Sequence, residues 1–255
     1  MWNCARRSKH LIWQRLICFA VLGGLFAPAT AFAGRRSFLW AWDTEVQPER
    51  GVEIEQWITE RIFSTPTDLT QVWWAPVIGL TDRVELALPG EWSHHQDSDK
   101  ITFDWYGAEL RWRLASPDAL ESGKLVPLIR IAAHRLARSR TDMRLEATAV
   151  LAFDPHPRVH LVGNLGLQQL ISGDETVAPF SLAGAYAATP DLKVGVELFG
   201  DYFAVTHVPS HRNLAMVGPS FGWTFGRMWL TAGALFGITD TAPQAMPRLL
   251  WAVQW

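Results

Sequence analysis

From Met143 to Ala149 the chain alternates without a break, and the apolar side continues to Phe153. Met143, Leu145, Ala147, Ala149, Leu151 and Phe153 take one side, and Arg144, Glu146 and Thr148 the other. Successive side chains point to opposite faces of a strand, so this stretch reads as a strand with one apolar and one charged face. The pattern recurs. Ala108, Leu110, Trp112 and Leu114 oppose Glu109, Arg111 and Arg113. Leu125, Pro127, Ile129, Ile131 and Ala133 oppose Arg130 and His134, and Leu192, Val194, Val196 and Leu198 oppose Lys193, Glu197 and Asp201. A dry core does not hold such a face, because an unpaired buried charge costs about 3–5 kcal/mol. The apolar face therefore looks outward to lipid, and the charged face lines a wet or salt-bridged lumen. A sheet in lipid has to close on itself, since an open edge would leave backbone groups without partners. The fold class is all-β: a transmembrane, antiparallel, up-and-down barrel. The alternative architecture is a secreted β-sandwich.

The chain has room for about twelve strands of roughly ten residues. Short turns at Thr81-Asp82-Arg83, Asp154-Pro155-His156-Pro157, Thr189-Pro190-Asp191 and Gly226-Arg227 alternate with longer polar connections. That rhythm belongs to barrels with short periplasmic turns and long outer loops, and an even strand count puts both barrel ends on the periplasmic side. In the last strand Leu249, Trp251, Val253 and Trp255 share a face opposite Arg248, Ala252 and Gln254, with Leu250 as the misfit. This strand is expected to pair with the first, which begins at Val52, and to close the ring. Gln56 and Glu60 fall on the lipid face of that first strand. Between Trp105 and Ala108 the alternation changes phase, which predicts a bulge at or beside Gly107. Trp74, Trp92, Trp105, Trp112, Trp223, Trp251 and Trp255 are expected to form interfacial girdles.

The N-terminus has the layout of a secretory signal peptide over 1–33: basic Arg6, Arg7, Lys9 and Arg15, an apolar run from Leu16 to Phe26, then Ala31-Phe32-Ala33 before Gly34. Cleavage after Ala33 removes both cysteines, Cys4 and Cys18, and with them disulfides and cysteine-ligated metal centres. Residues 34–50 read as a periplasmic lead-in, and 51–255 as the barrel. A net charge of −2, with no basic stripe, gives no footprint for nucleic acid.

Two stretches carry a resemblance. Gly51-Val52-Glu53-Ile54-Glu55-Gln56-Trp57 and Gly79-Leu80-Thr81-Asp82-Arg83-Val84-Glu85-Leu86 resemble the opening strand and first periplasmic turn of proteobacterial outer-membrane barrels. That group includes the transporter-like barrels of the meta-pathway for phenol degradation. The last strand likewise resembles the C-terminal signal by which the barrel-assembly machinery recognises its clients, with Trp255 where Phe is usual. The resemblance implies the bacterial outer membrane, lipid and the assembly machinery as partners, and a transport role.

The function expected from the residues is passage of small polar or anionic solutes through a lumen lined by Glu85, Asp104, Glu109, Arg111, Arg113, Arg130, His134, Arg144, Glu146, Arg158, His160, Lys193, Glu197 and Asp201. Nine of these crowd onto four consecutive strands as a basic track with a few acids, and the charge lining a pore sets its ion selectivity. The alternative is a non-conducting barrel cross-linked by Arg–Glu pairs, since twelve strands lie near the size that side chains can fill. A lipid hydrolase is a further reading, but His134 and His160 face no placeable serine and no Gly-x-Ser-x-Gly occurs. His94 and His95, with His207 and His211, are outer-loop candidates for zinc or copper if the loops meet. No catalytic residue and no cofactor is assigned.

Overall fold

The computed structural model describes residues 36–63, 68–96, 100–116, 119–120, 123–139, 141–171, 176–204 and 214–255. The expected signal peptide, His207 and His211 lie outside the described residues. The strand segments are β1 (Val52–Arg61), β2 (Leu69–Thr81), β3 (Val84–Ala87), β4 (Gly90–His95), β5 (Lys100–Arg113), β6 (Val126–Leu136) and β7 (Met143–His156). They continue as β8 (Val159–Leu170), β9 (Thr176–Ala187), β10 (Leu192–Ala204), β11 (Leu214–Phe225), β12 (Met228–Gly237) and β13 (Ala245–Gln254). All belong to one antiparallel sheet. It closes because β1 pairs with β2 on one side and with β13 on the other, from Glu53 opposite Gln254 to Thr59 opposite Arg248.

β3 and β4 are two halves of one stave, for both pair with β2 and β5. The ring therefore has twelve staves. The β3–β4 stave is interrupted at Leu88-Pro89, opposite Ala75-Pro76 on β2. Proline has no N–H to give to a ladder, so two prolines facing one gap interrupt it.

The outer wall is apolar. Ile131 on β6, Leu165 on β8, Leu182 on β9 and Val196 on β10 are each more than half exposed. Trp74, Trp112, Trp223 and Trp255 stand on that wall, and Trp92 packs there against Phe103. Trp105 does not. The bulge lies at Asp104 rather than at Gly107: Glu91 pairs with Trp105 and Trp92 with Phe103, which leaves Asp104 as the extra residue. The shift turns Trp105 inward, under the Arg144 guanidinium at 4.7 Å. Gly107 is small for another reason, since a Cβ there would meet the Ala133 carbonyl oxygen at 2.1 Å. At the turn end, Gly226 takes a φ of +61° in the two-residue connection from β11 to β12. Glycine adopts that left-handed conformation without steric strain.

Residues 36–47, in the stretch expected as a periplasmic lead-in, run inside the ring as a plug. Phe38, Leu39, Trp40, Ala41, Val46 and Gln47 are buried. Leu39 and Trp40 pack on Met216, Trp229, Leu235, Met246 and Leu250 from β11, β12 and β13. Phe38, Ala41 and Val46 pack on Leu128, Val150, Ala152, Val162 and Ala185 from β6, β7, β8 and β9. A single segment reaches both sides of a closed ring only from within it. This explains Leu250, the misfit of the last strand: it faces inward because the segment brings apolar partners to meet it.

Candidate functional site: the occluded bore

Odd-numbered positions of β10 and even-numbered positions of β6 and β7 turn inward, and so do the carboxylates and guanidiniums placed there. The acids and bases form one chain of ion pairs along the wall. Arg111 Nη1 donates to Glu85 Oε1 at 2.6 Å, and its Nη2 lies 3.3 Å from Glu109 Oε2. Arg130 grips Glu109 with two bonds, Nε to Oε2 at 3.0 Å and Nη2 to Oε1 at 2.8 Å. Its third nitrogen, Nη1, donates to Glu146 Oε2 at 2.7 Å. Arg144 Nε reaches Glu146 Oε1 at 2.7 Å, and His134 lies 3.3 Å from both Glu109 and Glu146. Three carboxylates and three guanidiniums thus alternate along this stretch of the wall. Bidentate, desolvated pairs of this kind are geometrically exacting, and removing one partner strands the other charge.

The remaining expected residues fall as follows. Glu85, Glu109, Arg111, Arg113, Arg130, His134 and Glu197 are buried on the inner face. Asp104, at the bulge, accepts from Thr102 Oγ1 at 2.7 Å. Lys193 Nζ donates to Ser37 Oγ at 2.9 Å, and Asp201 is half-buried further along the same inward row of β10. His160 stands between two carboxylates, Nδ1 2.6 Å from Asp154 and Nε2 3.0 Å from Asp43. Arg158 is the exception. It lies in the turn before β8, exposed, at the rim of the turn-end cavity, with Nη1 3.3 Å from the Tyr186 hydroxyl on the outer wall. A turn residue is not bound to the alternation of the strand it precedes.

The sequence reading put Glu85 and Glu197 in the lumen without the segment they hold, and left Glu55, Asn164 and Arg248 out of the lining. Glu197 accepts three consecutive backbone N–H groups, from Leu39 at 2.6 Å, Trp40 at 2.8 Å and Ala41 at 3.1 Å. Asn164 takes both polar groups of Trp42: the N–H donates to its Oδ1 at 2.6 Å, and its Nδ2 donates to the carbonyl at 3.0 Å. Glu85 accepts from the backbone N–H of Gln47. Arg36 forms a two-bond pair with Glu55 at 2.8 and 3.1 Å. Arg248 donates to the Leu39 carbonyl at 2.7 Å and lies over the Trp40 ring. The available signal was composition: Phe38-Leu39-Trp40-Ala41-Trp42 is too apolar for a solvated lead-in. At the turn end a cavity of about 440 Å³ remains beside the segment, lined by Glu45, Asp82, Arg113, Asp154, His160 and Lys193 among others.

No protein-family model matches the sequence, and no curated protein matches it. Solved structures do share the fold. An outer membrane channel from Pseudomonas putida F1 superposes with a TM-score of 0.57 at 12% identity, over 84% of this chain and 98% of its own. The NanC porin gives 0.52 at 8% identity over 79% and 98%. The KdgM porin, solved in complex with disordered oligogalacturonate, gives 0.51 at 6% over 80% and 98%. The chain therefore has the fold of an outer-membrane β-barrel.

Proposed function

We propose that this protein is an outer-membrane channel for small polar or anionic solutes, held shut by its own segment 36–48. The observation that carries the reading is the set of bonds from that segment to opposite staves: Glu197 on β10, Asn164 on β8, Glu85 on β3 and Glu55 on β1. A segment tied all round the wall blocks the bore, and withdrawing it leaves a passage lined by paired guanidiniums and carboxylates. Only polar or charged solutes exchange bonds with such a wall, and its chain of arginines is the source of any anion preference. The apolar outer belt supports residence in lipid, and the inward face of β13 supports closure against β1 during assembly by the barrel-assembly machinery.

The test is single-channel conductance of refolded protein in a planar bilayer. Wild type is expected to be closed for most of the record. A double variant, Glu197→Ala with Asn164→Ala, is expected to show discrete steps. Replacing Arg111, Arg130 and Arg144 with Gln in that background should reduce anion over cation permeability. A folded double variant without steps would support the second reading, a non-conducting barrel, which the chain of ion pairs over β3, β5, β6 and β7 also favours.

A further inference from the structure

We infer that the bore wall at Arg111, Arg130 and Asn164 is a binding site for a flat aromatic group joined to an amide, and that Trp42 occupies it in the closed protein. This deepens the channel reading and rests on it for the closed state. The Trp42 ring is unlike an ordinary core tryptophan in its surroundings. The guanidinium carbons of Arg111 and Arg130 lie 4.5 and 4.3 Å from its ring centroid, and that of Arg36 lies 4.3 Å away. Its fourth neighbour is Trp57, 5.6 Å off and itself stacked on Trp73 at 4.1 Å. Cations over an aromatic face attract it through the ring quadrupole, and the attraction grows as water is excluded.

All of these contacts except Arg36 come from the wall, and the wall holds them in place without help from the segment. Arg130 is fixed by Glu109 and Glu146, and Arg111 by Glu85 and Glu109. Asn164 Oδ1 also accepts from Ser181 Oγ at 2.9 Å, a bond made within the wall. With Trp42 gone, the wall keeps two guanidiniums, an indole and the Asn164 amide. The complement is an aromatic ring with an adjacent N–H and C=O. A solute of that class competes with Trp42 for the same contacts, and so opens the channel it enters.

The probe is N-acetyl-tryptophanamide, with N-acetyl-alaninamide as the control, titrated calorimetrically into refolded full-length mature protein. Folding is checked by heat-modifiable gel migration. Trp42→Ala is expected to bind the tryptophan probe about tenfold or more tighter than wild type, the equivalent of losing one strong internal competitor. Adding Asn164→Ala should weaken that binding, and Trp42→Phe should bind as weakly as wild type. If Trp42→Ala does not fold, Glu197→Ala frees the segment through a different contact and should show the same gain. The site is overturned if neither variant binds better than wild type, or if the alanine probe binds equally well. Conductance of Trp42→Ala separates the two readings. Steps without probe binding leave the channel and remove the aromatic site, whereas binding without steps leaves the site and removes the channel.

Discussion

Two single residues decide whether the segment can stay in the bore. Gly79 on β2 lies against the backbone of Pro48, and a Cβ there would stand 1.9 Å from the Pro48 carbonyl oxygen. Neither partner is a flexible side-chain end, so Gly79→Ala must push the segment away from the wall, at about 1–3 kcal/mol. The barrel strands are expected to remain paired. The expected readout is faster hydrogen exchange at Leu39–Ala41 with unchanged heat-modifiable migration. Glu197→Ala acts on another contact of the same segment, at Leu39–Ala41. It removes the acceptor of three backbone N–H groups and should loosen docking by about 2–5 kcal/mol, since a buried donor left unpaired costs its full desolvation. Protection of the Leu39, Trp40 and Ala41 amides should fall together, because one carboxylate serves them all.

For the strands, the direction a side chain faces decides the effect of changing it. Leu165 is 62% exposed on the lipid-facing row of β8. Leu165→Arg should destabilise the refolded barrel by about 2–4 kcal/mol, the range for a cation near the bilayer midplane. Arg130→Gln, on the inner row of β6, leaves Glu109 and Glu146 without their shared cation and should cost about 3–5 kcal/mol. Arg158→Gln, in the turn, should leave the urea midpoint unchanged. Equilibrium unfolding in urea of the barrel refolded into lipid vesicles checks all three. Equal shifts at Arg130 and Arg158 would contradict the inward and outward placement described above. The bulge at Asp104 belongs to this scale too. One extra residue on β5 turns Trp105 from the expected girdle to the bore, where Arg144 covers it.

For the molecule as a whole, the bore is filled by two kinds of contact that strand alternation does not specify. Toward the turn end the segment brings its own apolar side chains, and inward Val150, Ala152, Leu128 and Leu250 receive them. Elsewhere the ion pairs from Arg111 to Arg144 brace neighbouring staves. Conductance of the wild type, rare or absent by this account and restored by releasing the segment, is the measurement that joins these observations to transport.

Period-two alternation was enough to determine the closed sheet, its even number of staves, the pairing of the last strand with the first and the inward face of nearly every charged residue. Each of those follows from local chemistry: lipid demands apolar side chains on one face, and a strand allows only two faces. The place of residues 36–48 was decided only in three dimensions. Their partners Glu55, Glu85, Asn164, Glu197 and Arg248 are spread along almost the whole barrel, and no periodicity relates a segment without regular structure to positions so distant in sequence. The same holds for the charge balance of the wall. Alternation put Arg111, Arg130, Glu109 and Glu146 on one face, but strand register decided which guanidinium met which carboxylate. Trp42 shows the division most plainly: in the sequence it is one more aromatic residue, and its position against Arg111 and Arg130 exists only once the ring has closed around it.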